Sequence, residues 1–352
     1  MSFNPLRLIP FVPSLVILFL PGCAGAPVAG GPSSRYEVVE RFRIGGPGGW
    51  DYLTFDPARQ RLFIPRGDRV QVWDVGTGKV TGEIAGTAGV HGVALAQDLN
   101  RGFTSNGRAN TVTVFGLDDL KAIRTVAIAG INPDAILYEP GFKRVYAFNG
   151  RSKSMTVIDA VSLEVLADVG LGGKPEGAVS DGAGHVFVNV EDTAELVAID
   201  QSTNAVRARW PLAPCTNPTG LAIDVAHARL FSVCDNGKMV IVDARSGRHV
   251  AAVPIGDGPD GAEFDPGLAT AFSSNGGGTL TVVHEEDPDR FAVLANVPTQ
   301  ERARTMTLDP ISHRVYLVTA SFGEAPAPTK ENPSPRRPMV PETFTVIVMA
   351  PR

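Results

Sequence analysis

The chain lacks the residue patterns that identify several common classes of protein. It has 352 residues and only 3 cysteines, and no Cys-x-x-Cys pair or Cys/His cluster predicts a zinc site. Its formal charge of −5 provides no basic excess, which argues against nucleic-acid binding. It contains no Gly-x-Ser-x-Gly, His-Glu-x-x-His or phosphate-binding loop, and no Ser/His/Asp triad can be assembled. No catalytic motif therefore identifies a function.

An apolar run lies near the N-terminus. It covers residues 8–20, follows a single cation, and is too short to span a bilayer, which is typical of a signal peptide. The following Leu-Pro-Gly-Cys resembles a bacterial lipobox, with Cys23 as the lipidated residue. The sequence predicts a lipoprotein-type signal peptide over 1–22 and a flexible tether over 23–35. A secreted protein without lipid is the alternative, and both place the chain in the periplasm or at the cell surface.

The two remaining cysteines, Cys215 and Cys234, would then lie in an oxidising compartment. We expect them to form a disulfide, with two free buried thiols as the alternative.

Glycine (38) and proline (28) are abundant, and without a collagen period this indicates many turns. Short Val- and Thr-containing runs between the turns favour strands. One unit recurs seven times at intervals of 40–44 residues. Its first strand ends in an acid-Pro turn such as Asp265-Pro266, its second ends in Asn-Gly as in Asn275-Gly276, and a third follows with room for a fourth. This period predicts four-stranded propeller blades.

The two ends of the repeat array complement each other. The seventh unit lacks a fourth strand, and an unassigned strand over 36–44 precedes the first unit. Donating it to the last blade would close the ring and cover an open edge. We therefore predict an all-β fold, a seven-bladed β-propeller over 36–352 whose last blade is closed by the N-terminal strand. The Pro-rich segment 321–342 interrupts the last unit and is predicted to be a loop, either a lid or inert.

Two further repeated features are expected to be structural. The Asn-Gly pairs are predicted to be turns with positive φ. They lie at 106–107, 149–150, 236–237 and 275–276. An arginine that recurs in the second strand is predicted to brace its own hairpin. It is present as Arg61, Arg101, Arg144, Arg229 and Arg314.

The first strand of each propeller blade lines the central channel, so its first residue faces the mouth. These positions are mostly charged, and we expect them to form a ligand site. They are Asp51, His91, Asp134, Glu176, Thr219, Asp260 and Arg304. Trp50 stands beside them, either as a stacking surface or as a plug of the core. We expect His185, His227 and His313 to lie in turns on the opposite face.

Four of the mouth residues are candidate metal ligands, namely Asp51, Asp134, Glu176 and Asp260. Converging carboxylates repel one another, so raised pKa values, Arg304, water or a bound cation must offset the repulsion. An oxygen-rich site suits Ca²⁺ or Mg²⁺. A solvated polar funnel without a ligand is the alternative.

The repeated units resemble the YVTN-type propellers, including the YncE-like family of exported bacterial proteins. The resemblance covers about residues 36–350. It rests on second strands ending in Asn-Gly, third strands of Val-x-Val-Ile-Asp type, and the segment 299–309. Pro-x-Gly/Ala starts also carry it, at Pro133, Pro175, Pro218 and Pro259. The resemblance implies a propeller with a binding or surface role. Single-stranded DNA binding is linked to YncE-like members, and the acidic balance argues against it here.

Our main hypothesis is a non-enzymatic, monomeric binding module of the cell envelope. Its mouth face would bind a small molecule, a glycan or an envelope protein, and the lipid anchor would be its contact with the membrane. The alternative is a metal-dependent hydrolase or lactonase-like enzyme, in which a divalent cation polarises a carbonyl and His91 or a carboxylate acts as base. A redox or quinone-binding role has no residue in its favour.

Overall fold

The computed structural model describes residues 1–2, 36–330 and 332–352. The chain divides into two units, 1–31 and 32–352, and the second contains the fold described below. Apart from its first two residues, the predicted signal peptide lies outside the described residues, as do Cys23 and the tether. No helix among the described residues is long and apolar enough to cross a membrane.

The fold consists of short strands joined by tight turns. In chain order the strands are β1 (Tyr36–Arg43), β2 (Thr54–Asp56), β3 (Arg61–Pro65), β4 (Gly67–Asp74), β5 (Lys79–Ala96), β6 (Arg101–Asn106), β7 (Thr111–Gly116), β8 (Ala122–Ala127), β9 (Pro133–Glu139), β10 (Arg144–Asn149), β11 (Ser154–Asp159), β12 (Val165–Gly170), β13 (Pro175–Ser180), β14 (His185–Val190), β15 (Glu195–Asp200), β16 (Ala205–Pro211), β17 (Pro218–Asp224), β18 (Arg229–Cys234), β19 (Lys238–Asp243), β20 (His249–Pro254), β21 (Pro259–Asp265), β22 (Thr270–Asn275), β23 (Thr279–Asp287), β24 (Arg290–Pro298), β25 (Met306–Asp309), β26 (Arg314–Thr319) and β27 (Thr345–Pro351). Two 3-10 turns lie at Gln97–Leu99 and Glu191–Thr193.

These strands form seven antiparallel blades. Blades 3 to 6 are the four-stranded sheets β9–β12, β13–β16, β17–β20 and β21–β24. Blades 1 and 2 share one seven-stranded sheet, β2 to β8, because the 18-residue β5 is the outer strand of blade 1 and continues as the inner strand of blade 2. Blade 7 has the strand order β1-β27-β26-β25. The predicted seven-bladed propeller is confirmed.

The ring closes as the sequence predicts. β1 pairs antiparallel with β27, from Tyr36 opposite Pro351 to Arg43 opposite Thr345. The innermost strands contact one another in the cyclic order β2, β5, β9, β13, β17, β21, β25, and β25 contacts β2 again. Residues about forty positions apart therefore meet around one axis.

The hydrophobic core is divided among the blade interfaces. The described residues contain seven clusters, and each joins two neighbouring blades. Between blades 7 and 1, for example, Trp73 packs with Tyr316 and Phe344, and all three side chains are fully buried. Because every blade buries both faces, the ring is held by contacts between neighbours around the whole circle.

Only one of the four Asn-Gly pairs has the predicted conformation: Asn236-Gly237 lies in a turn, with a φ of 71° at Gly237. In the other three pairs the glycine has no positive φ. The asparagine side chain is instead buried and links strands: Asn149 Nδ2 donates to Ser154 Oγ at 3.1 Å and to Thr156 Oγ1 at 2.9 Å. Asn106 and Asn275 do the same in their blades. The repeated asparagine satisfies buried hydroxyls, which costs less than leaving them unpaired.

The repeated arginine reaches the next blade, so the predicted bond within the hairpin is wrong for Arg101. Its Nη1 donates to the carbonyls of Ala160 at 2.9 Å and Val161 at 3.0 Å, after the third strand of blade 3. Three further arginines make equivalent bonds to backbone carbonyls of the next blade: Arg61 to Leu117, Arg144 to Gln201 and Arg229 to Pro288. Arg61 and Arg229 also donate to aspartate carboxylates of their own blades. A long side chain spans the gap between blades, whereas hairpin partners already pair through their backbones.

The expected disulfide is present, and it lies on the mouth side. Cys215 and Cys234 are bonded with a Cα–Cα distance of 5.5 Å. Cys234 lies opposite Pro218, as Asn149 lies opposite Pro133, so a cysteine occupies the asparagine position of blade 5. Asn236-Gly237 therefore lies two residues beyond the position that the Asn-Gly pairs occupy in the other blades.

The segment 321–342 is held at its base. Phe322 pairs with Met339 in an isolated bridge, and Arg337 Nη1 donates to both carboxylate oxygens of Glu301, at 2.8 and 2.9 Å. These contacts anchor the two ends of the loop beside the mouth.

Candidate functional site

The channel mouth brings the predicted site residues together. Asp51, Asp134, Glu176 and Asp260 line one cavity of about 280 Å³, together with Thr219 and Arg304. His91 lies beside this cavity, with Nδ1 2.7 Å from Asp51 Oδ2. The four carboxylates thus surround a common centre.

The local sequence explains how the first strands approach the axis so closely. A small residue follows most of the mouth positions, as Gly177 follows Glu176 and Gly220 follows Thr219. A Cβ on Gly177 would lie 2.7 Å from the carbonyl oxygen of Thr219, and one on Gly220 would lie 2.6 Å from that of Asp260. The Pro-x-Gly pattern therefore has a packing reason, since only glycine permits this approach.

His91 lies between two carboxylates. Its Nδ1 is 2.7 Å from Asp51 Oδ2 and 3.5 Å from Asp134 Oδ1, and the ligand atoms of all three residues lie within 4.8 Å of one another. Burial lowers the pKa of His91, but the hydrogen bond to Asp51 and the charges of Asp134 and Asp51 outweigh it, so the pKa lies above its ordinary value. Burial raises the pKa of Asp134 to about 7 despite the opposing effect of His91. The trio can share a proton or hold a cation.

Glu176 faces different partners. Lys174 Nζ lies 2.6 Å from Glu176 Oε1 and also contacts Glu191, and the Tyr52 hydroxyl donates to Glu176 Oε2 at 3.1 Å. Burial raises the pKa of Glu176, with Lys174 opposing the shift. Burial and the charge of Glu176 raise the pKa of Tyr52 well above 10, which keeps its hydroxyl a donor.

Asp260 is paired with Arg304 across the ring closure, with Oδ2 3.4 Å from Nε. Burial raises the pKa of Asp260 to about 7, against the opposing charge of Arg304. Thr219 takes no part in this ion pair. Its hydroxyl donates to the carbonyl of Pro259 at 3.1 Å. Of the four predicted metal ligands, Asp51 and Asp134 lie with His91, whereas Glu176 and Asp260 already face cationic side chains.

Sequence reasoning missed several residues of the cavity. Lys174 and Tyr52 adjoin mouth positions in the chain, and this adjacency was the available signal. Glu191 and Asp235 come from second-to-third-strand turns of blades 4 and 5, which lie on the mouth face. With them, six carboxylates and two cationic side chains line the cavity.

A second cleft of about 590 Å³ adjoins the mouth, and Asp51 lines both. Three exposed guanidinium groups line it, those of Arg108, Arg151 and Arg336. None of the three side chains makes a hydrogen bond or an ion pair with another described residue. Arg336 belongs to the segment 321–342, so this loop contributes to the mouth face.

Trp50 packs against the apolar cluster between blades 7 and 1, with its ring 5.3 Å from Phe344 and 6.1 Å from Phe322 between centroids. It also lines the second cleft, and its role as a stacking surface for a ligand stays a prediction.

The channel continues below the mouth as a cavity of about 370 Å³, with Tyr52 and Asp260 at the junction. Most of its lining residues are apolar side chains or glycines, and Glu263 is the carboxylate below the junction. Burial raises the pKa of Glu263 to about 8. Glu263 was not among the predicted site residues, because its position is apolar or neutral in the other blades.

The histidines expected away from the mouth lie in or beside first-to-second-strand turns. Each places Nδ1 near an aspartate: His185 is 2.8 Å from Asp181, His227 is 2.6 Å from Asp224, and His313 is 2.7 Å from Asp265.

Comparison with known proteins gives the fold. No family model and no curated protein matches the chain. Among solved structures, the hydrazine synthase of Kuenenia stuttgartiensis is similar with a TM-score of 0.68 and 18 % identity, over 78 % of this chain and 93 % of that chain. The structure of U3-55K has a TM-score of 0.70 and 10 % identity, over 90 % and 99 % of the two chains. The WD40 repeats of RRP9 have a TM-score of 0.70 and 11 % identity, over 91 % and 99 %. At these identities the likeness shows that the chain has a propeller fold.

Proposed function

We propose that this chain is an exported binding module of the cell envelope that holds the positively charged group of a small polar ligand at its channel mouth. One observation carries the proposal: six carboxylates and two cationic side chains line a cavity of about 280 Å³. The carboxylates belong to Asp51, Asp134, Glu176, Glu191, Asp235 and Asp260, and the cations are Lys174 and Arg304. A cleft of one charge sign concentrates ligands of the other sign.

The adjoining cleft supports a ligand that also carries a negative group. Arg108, Arg151 and Arg336 line it, and guanidinium groups pair well with carboxylates and phosphates. Amino sugars of a glycan, peptide ends and amino acids combine both charges.

Export to the periplasm or cell surface, with a lipid anchor at Cys23, is part of the proposal. The apolar run over 8–20 and the cysteine that follows it support it. The Cys215–Cys234 disulfide also supports it, because disulfides persist in oxidising compartments. The resemblance to YncE-like propellers points the same way, and we propose a monomer.

Calorimetric titration tests the mouth. The probes are 1,5-diaminopentane and, separately, CaCl₂, MgCl₂ and MnCl₂, because Asp51, His91 and Asp134 could hold a divalent cation instead of an amine. We expect one of these cations to bind, and the double variant Asp134→Asn/Glu176→Gln to weaken its binding at least tenfold. The control Glu83→Gln/Glu164→Gln removes the same charge from exposed positions and should bind as the parent does. Absence of binding by every probe, or equal binding by both double variants, would contradict the proposal.

Lysine is 1,5-diaminopentane with one added carboxylate, so the pair tests the second cleft. We expect Arg108→Gln/Arg151→Gln to weaken lysine binding severalfold and to leave diaminopentane unchanged. An equal effect on both compounds would remove the cleft from the proposal and leave the mouth.

The His91 trio favours one second candidate, a metal-dependent hydrolase or lactonase. A divalent cation held by Asp51, His91 and Asp134 would polarise a carbonyl, and Asp260, a carboxylate of the same cavity outside this trio, would accept a proton from the attacking water. An imidazole in this set suits Mn²⁺ or Zn²⁺ better than the Ca²⁺ or Mg²⁺ expected from four carboxylates. Turnover of simple lactones with MnCl₂ or ZnCl₂ that disappears in His91→Gln would favour the enzyme, and binding without turnover would favour the binding module.

A further inference from the structure

A second cluster of titratable side chains lies between blades 5 and 6, in the turn region where the first strand of blade 5 ends. Asp224 is the last residue of β17, and His227 lies in the turn that leads to β18. Glu285 is near the end of β23 in the next blade. None of the three lines the mouth or the channel below it.

The first two residues of the cluster are held firmly. Asp224 Oδ1 accepts the backbone N–H of Ala226 at 3.0 Å, and Oδ2 accepts that of His227 at 3.3 Å. The same Oδ2 lies 2.6 Å from His227 Nδ1. The Asp224 carboxylate is buried, whereas half of the His227 side chain is exposed, at 50 %. The imidazole therefore joins a buried carboxylate to solvent.

The Glu285 carboxylate accepts no hydrogen bond from the described residues. Its Oε1 lies 3.0 Å from His227 Nδ1, and the residue is only 4 % exposed. A ring nitrogen carries at most one hydrogen, and Nδ1 lies nearer to Asp224 Oδ2, at 2.6 Å, than to Glu285, so one hydrogen does not satisfy both carboxylates. Arg229 is committed elsewhere, to the carbonyl of Pro288 at 2.6 Å and to Asp243 at 2.8 Å. An unpaired carboxylate at this depth is expensive.

The position of Glu285 makes this carboxylate unusual. Its backbone N–H donates to Ala269, and five residues in other blades donate to equivalent carbonyls: Val75, Leu117, Ala160, Gln201 and Ala244. Four of these residues are apolar and Gln201 is a neutral amide, so none is an acid. The fold thus needs no acid at this position, and blade 6 has one that is aimed at the Asp224–His227 pair.

We propose that Asp224, His227 and Glu285 form a zinc-type divalent cation site that joins blades 5 and 6. His227 Nδ1 lies 2.6 Å from Asp224 Oδ2 and 3.0 Å from Glu285 Oε1. Both separations are below about 4.4 Å, the largest that two ligand atoms can have on one ion with Zn–N and Zn–O bonds of about 2.0–2.2 Å. One imidazole with two carboxylates suits zinc better than calcium or magnesium. The cation balances both carboxylates, satisfies the orphaned oxygens of Glu285, and takes water as a further ligand on the exposed side of His227.

The boundary between blades 6 and 7 supplies a control. His313 of blade 7 has Nδ1 2.7 Å from Asp265 Oδ2 of blade 6, so an aspartate–histidine pair is present there. Within the described part of the chain, however, no third ligand joins that pair in a cluster of this kind. Glu285 is the difference between the two histidines.

The test is a calorimetric titration with ZnCl₂ after treatment with chelator, together with thermal unfolding with and without zinc. All arms carry His91→Gln, so that the mouth trio cannot contribute. We expect one zinc per chain and a raised Tm. Glu285→Gln and His227→Gln should each lower the zinc affinity at least tenfold, and His313→Gln should leave it unchanged.

Three results would overturn the site: no zinc binding in the His91→Gln background, unchanged affinity in both Glu285→Gln and His227→Gln, or an equal loss in His313→Gln. If Glu285→Gln does not fold, His227→Gln decides alone, because this half-exposed side chain is replaced without opening the core. Since the site is judged by the loss of zinc affinity in Glu285→Gln and His227→Gln, and neither residue lines the mouth, the outcome is separate from that of the proposed function.

Discussion

The mouth carboxylates share one cavity but differ in what each one faces. Asp51 and Asp134 flank His91, Glu176 faces Lys174, and Asp260 faces Arg304. The repulsion expected among four acids is thus offset by paired cations and by raised pKa values of the buried groups. The mouth remains acidic because carboxylates still outnumber cations in its wall.

The raised pKa of Asp260 gives a prediction about pH. Its value of about 7 lies above the ordinary 3.8, so between these pH values the folded protein holds a proton that the unfolded chain releases. The stability that this proton provides is present at low pH and is lost as pH rises through about 7. We expect Asp260→Asn to reduce the dependence of the free energy of unfolding on pH in this range. Relative to its value at low pH, the variant should lose on the order of 1 kcal/mol less stability than the parent by pH 8.

Urea unfolding at pH 5 and pH 8 measures this difference. Asp257→Asn, an exposed acid of the same blade, is the control and should keep the parent slope. An Asp260→Asn slope equal to that of the parent would show that this carboxylate is not desolvated in the folded state.

At the scale of the element, the repeated arginine acts as a link between blades. Arg101 donates two hydrogen bonds from blade 2 to carbonyls of blade 3. We expect Arg101→Ala to lower the free energy of unfolding by about 1.5–3 kcal/mol, the contribution typical of hydrogen bonds from a charged group. Chemical denaturation measures the loss.

The control is Arg124→Ala, which removes an exposed cation of β8 in the same blade. This side chain makes no hydrogen bond or ion pair with other described residues, so the expected change is small. Equal losses in the two variants would mean that charge, and not the link, accounts for the effect.

At the scale of the whole molecule, β1 completes the ring. Tyr36 packs edge-on against Phe272 of blade 6 at 5.0 Å, and its hydroxyl donates to the carbonyl of His313 at 2.9 Å. We expect Tyr36→Ala to cost about 3 kcal/mol, as for a large buried ring, and to lower the Tm of the whole protein in a single transition.

Glu40→Ala lies in the same strand but is exposed, and it should leave the Tm nearly unchanged. Differential scanning calorimetry compares the two. A Tyr36→Ala protein with the parent Tm would mean that blade 7 is stable without this closure.

Which features of the structure could be predicted from the sequence depends on the range of each interaction. The period of 40–44 residues predicted blade number, ring closure and the seven mouth positions, because identical units packed around an axis place equivalent residues together. The positive φ predicted for the Asn-Gly pairs is wrong at three of the four, since an asparagine such as Asn149, which is buried and bonds Ser154 and Thr156, looks the same in sequence as a turn residue. The arginine link was also missed, because its partner lies in another blade.

The repeat pattern by itself determined the fold, since strands with alternating burial, turns at fixed intervals and an orphan strand at one end allow one closed arrangement. It also determined which residues stand at the mouth. Only the tertiary structure decided how those residues pair, that Glu191, Asp235 and three arginines join them, and that Glu285 meets Asp224 and His227. Distances of a few ångströms between side chains of different blades depend on how the blades pack and on side-chain rotamers. The repeat pattern of the sequence does not specify either of these.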